Sequence, residues 1–405
     1  MKRVGKLFNN VIEPENLRLA FWKASRGKRH RSDQRTFADN LEQEVQCMRR
    51  GLIAGDYPVG RYTRFTIYDP KEREICAAAF SERVLHHALM NVCEPFFEKW
   101  LIFDTYACRK GKGQFRAVRR AQKFAQQSEW FLKADVRKFF DSIPHDRLKV
   151  LLHRKFKDEE LLGWFERILD SYETTSGHGL PIGNLTSQYF ANLYLDPLDR
   201  FVKETLRVKG YVRYMDDFAL WHETKDVLKA FSMDIVAFAE EHLGLQLKGV
   251  PYLNCSHHGM DFLGMRILPW EVRLNHRSKK RFIAKVRKYE WLLACGQITE
   301  LDFQERVTAL TAFVQQADSE EFRRFFFREQ TQNVGLKPKH SGRELEQQRE
   351  QPALWQRELE QPEQLEQQQR LPGYLPLSTI YKLEEHRWYP SVSCFQLWNK
   401  KRLAA

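Results

Sequence analysis

The sequence has no Cys-x-x-Cys pair, and its seven cysteines (Cys47, Cys76, Cys93, Cys108, Cys255, Cys295 and Cys394) are scattered. A structural zinc site needs closely spaced thiolates or imidazoles, so none is expected. An odd, unpatterned set also argues against a disulfide framework and suits a reducing cytoplasm. No run approaches the roughly 20 apolar residues a membrane span needs, so no membrane partner is expected. The opening Met1-Lys2-Arg3-Val4-Gly5-Lys6 is basic, but Asn9, Asn10 and Glu13 interrupt before an apolar run develops. No signal peptide is expected. A His-Asn-His nuclease cluster is missing, and so is any recognisable RRM or KH signature.

What the chain has is length and positive charge. Its 405 residues suffice for two or three subdomains. Lys+Arg number 66 against 53 Asp+Glu, a net charge of +13. That balance points to a polyanionic partner, most often nucleic acid. Glu15 to Lys28 reads as an amphipathic helix, Arg61 to Tyr68 as a strand and Phe80 to Val92 as a helix. Trp130 to Val136 reads as an apolar strand. Pro144 to Phe156 reads as a helix with Leu148, Leu151, Leu152 and Phe156 on one face. Leu185, Tyr189 and Leu193 mark another helix, and residues 222–244 one more, capped near Gly244. Residues 275–330 are helical and basic. From Gly335 to Gln369 the chain is dominated by Gln, Glu and Arg, which cannot bury a core. Residues 371–405 regain aromatics.

The sharpest feature is Tyr214-Met215-Asp216-Asp217. Gly210 to Arg213 precedes it and Phe218 to Trp221 follows, with apolar residues alternating at 212, 214 and at 218, 220. The pattern predicts a strand, an acidic turn and a second strand. Such a turn presents carboxylates to hard divalent cations. Two-metal phosphoryl chemistry needs about three carboxylates around ions roughly 3.5–4 Å apart. Asp216 and Asp217 supply two. Asp135, near the end of the 130–136 strand, is the candidate third, with the Val136 carbonyl as a further oxygen ligand. Alone, an Asp at a strand end is usually a cap or turn residue.

The Tyr-Met-Asp-Asp box resembles the catalytic box of reverse transcriptases. The order of the other pieces is also similar: Asp135 with Phe140, Pro181 to Gln188, Tyr214 to Asp217, then Phe262-Leu263-Gly264. Asp69 to Ile75 and Tyr106 to Gly113 resemble two blocks of that family's fingers. The resemblance covers roughly residues 1–335. It implies an α+β right-hand polymerase with a small antiparallel palm sheet backed by helices. It places the N-terminal extension and fingers at 1–130 and the palm at 131–270, with fingers-associated helices near 157–185. A helical thumb follows at 271–335, then a Gln/Glu-rich linker at 336–370 and a tail at 371–405. It implies two Mg²⁺ ions, with Mn²⁺ as a substitute, on Asp135, Val136, Asp216 and Asp217. Lys71 and Arg73 would hold the triphosphate of the incoming dNTP, Arg as a bidentate fork. Phe140 would pack under the sugar and exclude a 2′-hydroxyl. Ile182 and Gly183 would contact the nucleotide, and Lys248 would protonate the departing pyrophosphate. Lys248 departs from the family's usual Asn-x-x-Lys-Thr pattern. Phe262, Leu263 and Gly264 would grip the primer end, and the basic 275–330 region would hold the cDNA/RNA duplex by its phosphates.

Most reverse transcriptases carry Gln-Gly-x-x-x-Ser-Pro where this chain has Ile182-Gly183-Asn184-Leu185-Thr186-Ser187-Gln188. Ile182 for Gln and Gln188 for Pro look like the enzyme of diversity-generating retroelements, as does the run from Met1 to Lys28. That resemblance implies a template-repeat RNA, a basic oligomeric accessory variability determinant protein, adenine-directed errors and mutagenic retrohoming. The setting would be the cytoplasm of a bacterial, phage or archaeal host. Ile182 lacks the amide of Gln and is stiff, so a polar contact that discriminates nucleotides would be lost. Other bacterial reverse transcriptases (retron, group II intron, phage-defence) are the alternative. An intron enzyme would be expected to show Gln and Pro at 182 and 188, and the retron signatures are not apparent. With no zinc or nuclease cluster, a fused DNA-binding or endonuclease domain is not expected. A polymerase-like RNA-binding protein without catalysis is the reading outside enzymology.

Overall fold

The computed structural model describes residues 3–28, 31–68 and 72–333. Lys71 and everything expected of residues 336–405 lie outside the described residues. The chain divides into two units, Met1–Leu263 with Ile267–Glu271, and Gly264–Arg266 with Val272 onward.

The first unit opens on helices. Pro14 sits at the start of helix Pro14–Ala24, where its missing N–H costs nothing. Leu17, Ala20, Phe21 and Ala24 are buried at helical spacing and pack on helix Phe80–Trp100. That helix continues past Val92 and through Pro95. Its last turns are held by packing, with the Trp100 and Phe97 rings 4.9 and 5.8 Å from Phe156. In chain order a hairpin of β1 (Tyr62–Ile67) and β2 (Arg73–Ala78) comes between these helices, with Tyr62 opposite Ala78.

The central sheet has four antiparallel strands: β3 (Trp130–Asp135), β4 (Gly210–Tyr214), β5 (Asp217–His222) and β6 (Tyr252–Cys255). Their order is β4-β5-β3-β6. The expected alternation is present, but both faces of the central strands are covered. Leu132, Ala134, Tyr211, Phe218 and Leu220 join the main core with Leu228 and Ile235 of helix Lys225–Leu243. The residues between them, among them Phe131, Val212, Ala219 and Trp221, are equally buried. Trp221 lies 5.6 Å from Phe124 of helix Gln114–Gln127. Gly210 is needed there, since a Cβ would stand 2.9 Å from that of Trp221. Gly244 caps helix Lys225–Leu243 in the left-handed region.

The strands Met260–Phe262, Met265–Ile267 and Val272–Leu274 lead into the second unit. Its helices are His276–Ala294, Glu300–Val314 and Glu320–Asn333. Asn275 caps the first of them, and a Thr299–Asp302 capping box starts the second. A small core of Leu292, Ile298 and Phe303 joins the first two.

Candidate active site

Two strand ends bring the carboxylates together. In the register of β3 with β5, Asp135 stands directly opposite Asp217. Cβ atoms of such cross-strand pairs lie about 4.5–5.5 Å apart, and like charges there repel. Tyr214 pairs with Asp217 across the hairpin, so Met215 and Asp216 form a two-residue turn. Met215 takes a positive φ of 57°. Short hairpins require such backbone, which costs a non-glycine residue about 1–2 kcal/mol. The Val136 N–H donates to the Asp216 carbonyl at 3.3 Å, tying the turn to the end of β3.

The carboxylates are electrostatically crowded. Burial, then the charge of Asp135, pushes Asp216 up to about 6, against the pull of Arg73. Burial also pushes Asp217 up to about 7, with Asp135 and Asp216 adding to it and Lys133 opposing. Asp217 Oδ1 is buried without a hydrogen-bond partner, while its Oδ2 lies 3.3 Å from Lys133 Nζ. An unpartnered carboxylate oxygen beside two further carboxylates fits a divalent cation, which takes oxygen ligands and relieves the repulsion. Among the described residues no group of three His, Cys, Asp or Glu is placed to hold a metal ion by itself. Such a site would be open, its remaining ligands coming from substrate and water, as Mg²⁺ commonly accepts.

Sequence reasoning missed what lies beneath the turn. Arg213 and Asp199 form an ion pair at 2.6 Å with both side chains wholly buried. All five guanidinium N–H groups have acceptors. Nε and one Nη2 hydrogen go to Asp199, and the other Nη2 hydrogen to the Asn192 carbonyl. Nη1 donates to Asn192 Oδ1 at 3.1 Å and to the Met215 carbonyl at 2.9 Å. The Tyr211 hydroxyl donates to Asp199 at 2.8 Å. This pair therefore holds the strained turn from below. An Arg inside the otherwise apolar Gly210–Tyr214 strand was the available signal. Lys133 was missed too; it also donates to the Asp261 carbonyl at 2.8 Å.

Of the other predicted residues, Lys248 and Arg73 act on these carboxylates. The Lys248 N–H donates to the Asp135 carbonyl at 2.7 Å, and its ammonium lies 3.6 Å from Asp135 Oδ2. Arg73 is exposed at the start of β2, near enough for its charge to act on Asp216. Phe140 is half-buried in the short helix Phe139–Ser142, and its carbonyl accepts from Leu180. Ile182 is half-buried, and its carbonyl accepts from Cys76 of β2 at 2.9 Å. Gly183 turns the chain with a φ of 111° into helix Leu185–Tyr194. Gln188, half-buried, lies on that helix one turn before Asn192. Phe262 is buried, with Lys133 Nζ 5.7 Å from its ring. The Leu263 carbonyl accepts from Gln114, and Leu263 has a φ of 50°. Gly264 falls in the second unit, where a Cβ would meet Ser278 Oγ at 2.8 Å.

Strand order, acidic hairpin and opposed third carboxylate together make an open acidic site at the end of a mixed α/β unit's sheet. Residues 69–267 match the model of the family "Reverse transcriptase (RNA-dependent DNA polymerase)". The chain thus carries a reverse transcriptase domain. The group II intron-encoded protein LtrA of Lactococcus lactis subsp. cremoris is 25% identical over 171 residues, 40% of this chain and 28% of that protein. A protein of COX1/OXI3 intron 2 from Saccharomyces cerevisiae is 21% identical over 269 residues, 49% of this chain and 31% of that one. The chain spans about a third of the length of these relatives. Among solved structures, apo telomerase from Candida tropicalis aligns over 66% of this chain and 61% of that one, at 14% identity and a TM-score of 0.43. Among the described residues no helix is long and apolar enough to cross a membrane.

Proposed function

We propose that this chain is an RNA-directed DNA polymerase whose centre is Asp135, Asp216 and Asp217. The observation that carries the reading is the placement of Asp135 opposite Asp217 at the mouth of the acidic hairpin, with a buried carboxylate oxygen left without a partner. Divalent cations, Mg²⁺ with Mn²⁺ as a substitute, would supply activation of the primer 3′-hydroxyl and neutralisation of the leaving oxygen. Asp135, Asp216 and Asp217 hold them, with the Val136 carbonyl as a further oxygen. Arg73 and Lys71 bind the β- and γ-phosphates. Phe140 and the Ile182-Gly183 turn shape the nucleotide pocket, and Lys248 Nζ carries a proton toward the departing pyrophosphate. Phe262, Leu263 and Gly264 grip the primer end, and the basic helices after 275 grip the duplex.

Within that class the reading is a diversity-generating retroelement enzyme of a bacterial, phage or archaeal cytoplasm. It copies a template-repeat RNA with errors at adenines, aided by a basic accessory oligomer. Ile182 and Gln188, in place of Gln and Pro, support it. The second reading, an intron-encoded reverse transcriptase, is favoured by the curated relatives, which are intron proteins. Primer extension on a defined RNA with product sequencing separates the two. Errors concentrated at template adenines support the first, and faithful copying the second.

A further inference from the structure

Away from the carboxylates, the first unit holds a cleft of about 460 Å³. Arg3, Lys6, Lys99 and Lys157 line it with Phe96 and Trp100, and no carboxylate does. The N-terminal strand segment is fixed in place there. The Val4 N–H donates to the Lys155 carbonyl at 2.9 Å, and the Val4 carbonyl accepts from Lys157 at 2.7 Å. Arg3 Nε donates to the Phe156 carbonyl at 3.0 Å. Gly5 makes room for the Lys157 stem, which a Cβ would meet at 2.8 Å. Lys6 stands in left-handed backbone at a φ of 61°.

The fold therefore holds four cations around one cleft. Lys155, next to it, is paired with Asp196, whereas Lys6, Lys99 and Lys157 make no ion pair among the described residues. Asp158, which accepts from the Leu7 and Phe8 N–H groups beside the cleft, offsets only part of this charge; like charges repel, and an anion in the cleft lowers that penalty. Phe96 is half-buried and gives one wall an apolar face. A volume in the range of small-ligand sites suits one nucleotide. Phosphate charge with a ring wall is the pattern by which proteins hold single-stranded nucleic acid.

We propose that this cleft binds a nucleotide of a single-stranded RNA, its phosphates on Lys6, Lys99, Lys157 and Arg3 and its base or sugar against Phe96. The choice of an RNA strand rests on the polymerase reading above. The cleft shares no residue with the carboxylate site.

The test uses the full chain and a labelled single-stranded RNA of about 20 nucleotides, titrated by fluorescence anisotropy at several KCl concentrations. One variant combines Lys6→Ala, Lys99→Ala and Lys157→Ala; the singles are read beside it in case the triple fails to fold. A control removes equal charge elsewhere through Lys123→Ala, Lys209→Ala and Lys229→Ala. The cleft triple is expected to bind at least about tenfold more weakly, with a salt slope shallower by about 1.4, since one nucleotide brings its two flanking phosphates and each contributes about 0.7. The control should stay within about twofold. Phe96→Ala should weaken binding without changing the slope. Equal losses in triple and control, with unchanged singles, overturn the proposal. So does displacement of RNA from the wild-type cleft by millimolar ATP, which would make a free nucleotide the occupant. Asp216→Ala should bind RNA as the wild type does. Absent primer extension beside an intact cleft effect would sink the polymerase reading alone.

Discussion

Two charged assemblies lie side by side in the acidic hairpin, and they are built on opposite terms. Below the turn, Arg213 and Asp199 are entirely buried and fully compensated, with every guanidinium hydrogen accepted. Above it, Asp135, Asp216 and Asp217 are crowded, and one Asp217 oxygen has no partner. The first arrangement rigidifies and the second invites a cation. A buried charge is tolerated only when paired, so the cluster, which Lys133 and Lys248 compensate only in part, marks where an outside ligand belongs. The buried pair keeps that cluster in place by holding the Met215 carbonyl.

The largest effect should come from breaking the carboxylate side. Asp135→Asn should lower primer extension on the order of 10³-fold, because metal-borne charge stabilisation is worth several kcal/mol. Melting should change little. A variant that extends primers at near wild-type rate would remove Asp135 from the centre.

Breaking the compensated side should instead cost stability. Asp199→Ala leaves a buried guanidinium unpaired, and such losses run to about 3–5 kcal/mol. Arg213→Lys should also be destabilising, since an ammonium has three donors for five acceptor contacts. Urea unfolding measures both. Midpoints equal to the wild type would mean the pair does not support the turn.

The hairpin was legible because its signal is local: two short apolar runs flank adjacent carboxylates. Asp135 was legible from its place near the end of an apolar strand. Arg213 was not, because its partners Asn192 and Asp199 lie 21 and 14 residues away. Nothing local shows that they converge. In the same way, strand alternation announced a sheet but not that both faces are covered. The continuation of a helix through Pro95 depends on Phe156, which is distant in sequence.

A subtler contrast concerns pH. Asp217 is raised to about 7 and Asp216 to about 6, against an ordinary Asp near about 4. Between those values the folded chain holds protons that the unfolded chain has released. Stability without metal is therefore fullest at the low end and falls as pH rises through the folded values. Melting in EDTA should decline from about pH 5 to 7.5, and Asp217→Asn should flatten the decline. Identical slopes would contradict the crowding.

The smallest expected effect lies at Ile182. Restoring an amide by Ile182→Gln should lower misincorporation while leaving extension rates within a fewfold of the wild type. Unchanged errors at full activity would detach Ile182 from fidelity.

The most direct measurement is Mg²⁺-dependent primer extension with dNTPs on a defined RNA, wild type beside Asp216→Ala. Extension by the wild type and none by the variant is the predicted result. Equal extension by both, or none by a folded wild type, would contradict the acidic hairpin as a polymerase centre.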